Sequence, residues 1–128
     1  MTNSSQNPNQ LLPLSPAVFN ILLALADKER HGYGIMQEVK ERTNGQVQLG
    51  PGTLYGAIKR LLEKKLIEEV GERPDPEMND DERRRYYRLT SFGLKVLRAE
   101  VARLEAMLQQ ARGKKLLPDQ ATNPIWVG

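Results

Sequence analysis

Arg83-Arg84-Arg85-Tyr86-Tyr87-Arg88-Leu89 decides how this 128-residue chain is read. The adjacent tyrosines and the closing leucine make the stretch β-prone, and its arginines make it basic. Successive strand side chains point to opposite faces, so one of Tyr86 and Tyr87 is expected in the core and the other outside. Upstream, residues 71–82 hold two prolines and six acids and read as an exposed loop. Before that loop, Leu66-Ile67-Glu68-Glu69-Val70 passes from a helix end into a strand. The two strands and their polar loop make a hairpin with a long tip. Farther back, Gly50-Pro51-Gly52-Thr53 is a turn feeding a helix with Leu54, Ile58, Leu61 and Leu62 at i, i+4, i+7 and i+8 on one side. Projected at about 100° per residue, Gly52, Gly56, Lys59, Arg60 and Glu63 fall on the opposite side.

Two further helices precede this one. Ser15 offers an N-cap and Pro16 the favoured first helical position. Phe19, Leu22, Leu23 and Ala26 follow at helical spacing, widened by Ile21 and Leu25, so a largely buried helix should end near Asp27. Asp27-Lys28-Glu29-Arg30 reads as a charged, solvated turn. His31-Gly32-Tyr33-Gly34 opens the second helix, with Ile35, Met36 and Val39 on one side and Tyr33, Gln37, Lys40 and Glu41 on the other. Asn44-Gly45 should end it, the glycine taking the left-handed cap. Val47 and Leu49 alternate with glutamines, which predicts a short strand. After the hairpin, Thr90 or Ser91 caps a fourth helix carrying Leu94, Leu97, Val101, Leu104, Leu108 and Ala111 at steps of 3, 4, 3, 4 and 3. That is a heptad pattern, and an isolated stripe so regular prefers a partner helix. Gly113 ends the helix, and Lys114 and Lys115 complement its C-terminal dipole.

Composition excludes several classes. There is no cysteine, so no disulfide and no thiolate metal site. The single histidine, His31, rules out a multi-histidine metal centre and reads as a turn or capping residue. Gly50-Pro51-Gly52-Thr53 lacks the Gly-Lys-Ser/Thr ending of a phosphate-binding loop. No catalytic constellation, metal site or cofactor is expected, and the chain is not read as an enzyme. No apolar run reaches the roughly 20 residues of a membrane span. The N-terminus lacks the order of a signal peptide, so a cytoplasmic protein is expected. Nineteen Lys plus Arg against sixteen Asp plus Glu leave a formal charge of only +3, so placement of charge must decide any nucleic-acid reading.

Three short helices followed by a basic hairpin form the winged helix-turn-helix layout, mainly α with a small β-hairpin (α+β). The third helix is a rod of a width that enters the major groove. Gly56 removes bulk from its outward face, and Lys59 and Arg60 flank that position, able to reach phosphates or guanine edges. Plainer readings accompany each feature. Basic residues on a helix often mark only a solvated face. Arg83 to Arg85 are balanced by Asp80, Asp81 and Glu82 and could form a local ion-pair cluster, and Gly56 could mark close packing.

The chain resembles the PadR family of bacterial transcriptional regulators over roughly residues 14–112. Four pieces carry the resemblance: Leu22-Leu23-Ala24-Leu25 with His31-Gly32-Tyr33-Gly34-Ile35; Gly52-Thr53-Leu54-Tyr55 with Arg60-Leu61 and Leu66-Ile67; Arg85-Tyr86-Tyr87-Arg88-Leu89-Thr90; and Gly93. The single C-terminal helix is similar to the short members of the family. The resemblance implies a homodimeric repressor that binds an inverted-repeat operator in double-stranded DNA and is relieved by a small hydrophobic or aromatic effector. In some short members such compounds stack on tryptophans of the dimerisation helix. That helix has none here, and Trp126 lies in the tail, so the aromatic sandwich does not carry over.

The expected organisation is a flexible arm over 1–13, a winged helix-turn-helix over 14–89, a dimerisation helix over 90–113 and a flexible tail over 114–128. Thr53, Tyr55, Lys59 and Arg60 are the expected DNA contacts on the recognition helix. Tyr33 and Gln37 on the preceding helix, and Arg84 and Arg85 on the wing, are expected to meet phosphates. Leu94, Leu97, Val101, Leu104 and Leu108 are expected to form the dimer seam. The alternative is a winged-helix interaction module that dimerises without binding DNA.

Overall fold

Ser15 starts the first helix as its position before Pro16 suggests: its Oγ accepts the Val18 N–H at 3.2 Å. In the computed structural model, which describes residues 6–74 and 83–118, this helix is α1 (Pro16–Ala24). It stops three residues short of Asp27, where the Leu25 N–H bonds both Ile21 and Leu22 carbonyls and tightens the last turn. β1 (Arg30–His31) follows, then α2 (Gly32–Arg42), α3 (Pro51–Glu63), β2 (Ile67–Pro74), β3 (Arg83–Leu89) and α4 (Ser91–Gly113). The sheet is antiparallel in the order β1-β3-β2.

Each helix begins with an identifiable device. His31 caps α2, its Nδ1 accepting the Gly34 N–H at 2.9 Å, which is the capping role expected of it. Thr90 caps α4, its Oγ1 accepting the Gly93 N–H at 2.9 Å and donating to the Lys65 carbonyl at 2.7 Å. Gly93 is obligatory there: a Cβ would lie 1.9 Å from the Leu66 carbonyl oxygen. α2 closes with Asn44 and Gly45 both at positive φ, the Gly45 N–H reaching the Lys40 carbonyl at 2.7 Å.

The core lies where α1, α2 and α3 meet the sheet and the first half of α4. Ile21, Leu22, Ile35, Leu54, Leu66 and Val96 are wholly enclosed within it. Burial at about 1.5–3 kcal/mol for each such side chain is what holds helices this short in place. Tyr87 is the tyrosine turned inward, at 6% exposure; Tyr86 is half-buried on the other face.

Four expectations need correction. Val47 and Leu49 do not form a strand: both pack half-buried on the core, and the Val47 N–H is satisfied by Thr43 Oγ1 at 3.0 Å instead of by a ladder. The third strand is Arg30–His31, paired with Tyr87 and Tyr86. β2 extends beyond Val70 to Pro74, because a bulge at Gly71 (φ +113°) resets the register so that Glu72 faces Arg85. Residues 8–13 do not form a loose arm: Pro8–Leu11 is a 3-10 helix lying on α4, with Leu11 and Leu12 packed against the core. Averaging composition over thirteen residues hid those two leucines.

Candidate nucleic-acid interface

α3 offers a bare backbone face. Its N-cap is Gly50, which supplies no side-chain hydrogen bond, and Pro51 occupies the first turn. A Cβ on Gly50 or Gly52 would meet nothing within 4 Å, and one on Gly56 would meet only the Arg60 guanidinium at 3.7 Å. The close-packing reading of Gly56 therefore fails. Lys59 and Arg60 stand exposed beside it, and neither forms an ion pair or side-chain hydrogen bond among the described residues. Thr53 is exposed on the same flank of the helix as Arg60. Glu63 shares the outward face one turn later and makes that end of the helix the less favourable one for phosphate.

Tyr55 occupies the opposite flank and leans onto α2. Its ring lies so close to Gly32 that a Cβ there would sit 2.3 Å from the phenol oxygen. Sequence reasoning noted Gly32 only as part of a motif, whereas the structure makes it the cradle of an exposed tyrosine (47%). Arg84, expected on the wing, comes to the Tyr33 and Gln37 pair expected on α2. Gln37 Nε2 donates to Tyr33 Oη at 2.7 Å, and the Arg84 guanidinium lies 5.2 Å from the centre of the Tyr33 ring. His31 meets Tyr86 edge-on at 5.1 Å, and the Arg73 guanidinium lies over the Tyr86 ring at 4.4 Å. Aromatic and cationic groups thus tie the wing to the start of α2.

Arg85 differs from the other expected contacts. It lies 3.8 Å from Glu69 and 3.6 Å from Glu72 across the hairpin. Arg88 donates to Glu68 at 2.7 Å and lies 3.8 Å from Glu29, which also binds Arg73. The hydrogen bond to Glu68, with its charge, raises the Arg88 guanidinium above its ordinary pKa. Burial, helped by Glu69, raises the Tyr87 phenol as well. Ion pairs do form on the wing, but the described ones join Arg85 and Arg88 to Glu68, Glu69 and Glu72 of β2 and to Glu29. Asp80, Asp81 and Glu82 lie outside the described residues, as does Trp126. The signal available in the sequence was the acid triplet Glu68, Glu69 and Glu72: the antiparallel register sets Glu68 opposite Arg88 and Glu72 opposite Arg85, with Glu69 facing Tyr87 and reaching Arg85 diagonally.

The expected dimer seam divides. Leu97 is buried in the protomer's own core at 4% exposure, and Leu94 is half-buried. From Val101 onward no residue of α4 is buried, and Val101, Met107 and Leu108 are 45–52% exposed. Glu100 marks the boundary. Its enclosed carboxylate accepts Arg103 Nε at 2.6 Å and the Leu14 N–H at 3.0 Å, and the hydrogen bond from Arg103 chiefly holds its pKa below the usual glutamate value. Among the described residues no helix is long and apolar enough to cross a membrane, and no group of His, Cys, Asp or Glu is placed to hold a metal ion.

The sequence pattern of the Transcriptional regulator PadR-like family matches residues 21–99, which span α2, α3, the wing and the start of α4. The chain belongs to the PadR family. Among its relatives, an uncharacterized protein X of Lysinibacillus sphaericus is 40% identical over 73 residues, covering 57% of this chain and 63% of the relative. An uncharacterized 37.1 kDa transposon protein of Streptomyces fradiae is 35% identical over 102 residues, covering 80% of this chain and 26% of that protein. The chain thus spans less than two thirds of the length of either relative. A PadR-family transcription regulator of Clostridium difficile superposes with a TM-score of 0.64 at 28% identity, over 77% of this chain and 97% of the other. Bacillus subtilis PadR, solved in complex with operator DNA, shares the fold at a TM-score of 0.58 and 21% identity, over 70% of this chain and 48% of that one. The PadR-matching stretch contains all eight expected DNA contacts and ends before Val101, Leu104 and Leu108.

Proposed function

We propose that this PadR-family chain is a homodimeric, sequence-specific DNA-binding repressor of the cytoplasm, relieved by a small hydrophobic or aromatic effector. One observation carries the reading. The outward face of α3 is open backbone at Gly52 and Gly56, flanked by Thr53, Tyr55, Lys59 and Arg60, with both cations unpaired among the described residues. Such a face lets a helix settle deep in the major groove while its cations meet base edges and phosphates. Tyr33, Gln37 and Arg84 form a polar ledge beside it that suits the flanking phosphates.

Two copies joined through the exposed half of α4 present two recognition helices about 34 Å apart, one helical turn of DNA, and so read an inverted repeat. An effector acts by favouring a dimer geometry in which the helices no longer match that spacing. The wing supports a second reading, because Arg85 and Arg88 are matched by glutamates of the same sheet. A surface so neutralised suits an interaction module that dimerises without DNA. Fluorescence anisotropy against a library of inverted repeats separates the two. Binding that selects a sequence and weakens steeply with salt supports the repressor. Salt-insensitive or absent binding by a folded dimer supports the module.

A further inference from the structure

We propose that the cleft between the N-terminal segment, α1 and α3 is a binding site for a small apolar carboxylate. The cleft measures about 150 Å³. At about 30 Å³ per water, that is space for about five waters or for one chain of roughly six carbons. Leu11, Leu14, Val18, Leu61 and Leu66 supply its apolar walls. Arg60 and Lys64 stand at the polar side with Ser15, and among the described residues no carboxylate lines the cleft.

The charge pattern selects the ligand. Neither cation has an ion-pair partner among the described residues, so an anion entering here displaces no internal pair. Ser15 Oγ is already an acceptor for the Val18 N–H, which leaves its hydroxyl hydrogen free to donate, and the N-terminus of α1 lies directly behind it. Glu100, which accepts the Leu14 N–H, is held by Arg103, and Glu63, exposed beside Lys64 on α3, forms no ion pair with either cation among the described residues and does not line the cleft. A headgroup with two oxygens fits the guanidinium and ammonium together, while an apolar body of about five carbons replaces water along the leucine and valine walls. A neutral alcohol of equal length fills the same walls and leaves both cations unmatched.

The site stands independently of the DNA-binding reading. Its effect on DNA rests on that reading, because occupation engages Arg60, one of the expected base contacts of α3. The probe is hexanoate, with hexanol as its neutral counterpart, titrated into the full chain and followed by the methyl resonances of Val18, Leu61 and Leu66. Burial of its five-carbon chain suits a dissociation constant on the order of 1 mM. We expect saturable shifts at those three residues, about fivefold weaker binding of hexanol, and a loss of about fivefold for hexanoate in Lys64→Gln. Val18→Phe, which fills the cleft without touching charge, should abolish the shifts while leaving the thermal midpoint near wild type. Equal affinity for hexanoate and hexanol, shifts confined to α4, or no saturation overturns the site. If hexanoate binds here and the chain binds no DNA, the repressor reading alone is overturned. If DNA binds and hexanoate does not, the site alone is.

Discussion

Gly93 and Gly113 lie at opposite ends of α4 and differ in what surrounds them. A methyl group on Gly93 would press into the Leu66 carbonyl, which is backbone that already serves Thr90, so nothing nearby can give way. Gly93→Ala should therefore destabilise the protein by about 3 kcal/mol or more, as overpacking against a fixed group does. Around Gly113 there is open space and no positive φ, so Gly113→Ala should be neutral or stabilising by up to about 1 kcal/mol. Urea denaturation of both variants reads the contrast directly. Gly32 is an intermediate case, because the atoms it would strike are the far end of the exposed Tyr55 side chain. Glu100 offers a second test, through pH. Its carboxyl is lowered in the folded state, so its contribution is present above the unfolded glutamate pKa of about 4.3 and is lost as pH falls through the lower folded value. Glu100→Gln should lower the thermal midpoint at pH 7 and leave it nearly unchanged near pH 2. An equal drop at both pH values would assign the effect to packing instead of charge.

α4 works as two half-helices, and substitutions should sort accordingly. Leu97 belongs to the core, so Leu97→Ala should cost about 2–5 kcal/mol of protomer stability. Leu104→Asp and Leu108→Asp should leave the fold intact and separate the proposed dimer, since each apolar side chain buried between copies would contribute about 1.5–3 kcal/mol. Sedimentation velocity at micromolar concentration decides this. A wild-type monomer, or an unfolded Leu108→Asp variant, would count against the seam. The heptad was legible as a period of 3.5, but the point at which it leaves the domain was not, because spacing alone does not say which turns face inward. The same limit explains other differences. α1, α2, α3 and the hairpin announced themselves through caps and periodicity. β1 is two residues long and has no period to detect. The extension of β2 to Pro74 depends on a bulge and on cross-strand charge, and the identity of the facing strand is needed to see either. On the α3 side, the exposed positions were legible one by one. The approach of Arg84 to Tyr33, and the seat of Tyr55 on Gly32, are tertiary facts.

Across the whole molecule, positive charge is unevenly available. On α3, Lys59 and Arg60 lack partners among the described residues, whereas Arg85 and Arg88 on the wing each face two glutamates. A cation already matched by carboxylates releases few further counterions when it meets DNA, because its own charge was countered beforehand. The exposure of these pairs makes them weak, so DNA phosphates compete with the glutamates on nearly equal terms. We expect Lys59→Ala to flatten the slope of log affinity against log salt by about 0.9, the value for one neutralised phosphate, and to weaken all sequences alike. Arg60→Ala should instead relax sequence preference, since a guanidinium pairs bidentately with guanine for about 1–3 kcal/mol of discrimination. Arg85→Ala should flatten the slope by clearly less than Lys59→Ala. Joint Glu69→Gln and Glu72→Gln substitution should raise affinity for every sequence by releasing Arg85. Anisotropy titrations between roughly 50 and 200 mM salt measure all four slopes. Should Arg85→Ala flatten the slope as much as Lys59→Ala, the hairpin ion pairs open on contact with DNA, and the wing is a full phosphate clamp whose glutamates only hold its arginines in register until DNA arrives.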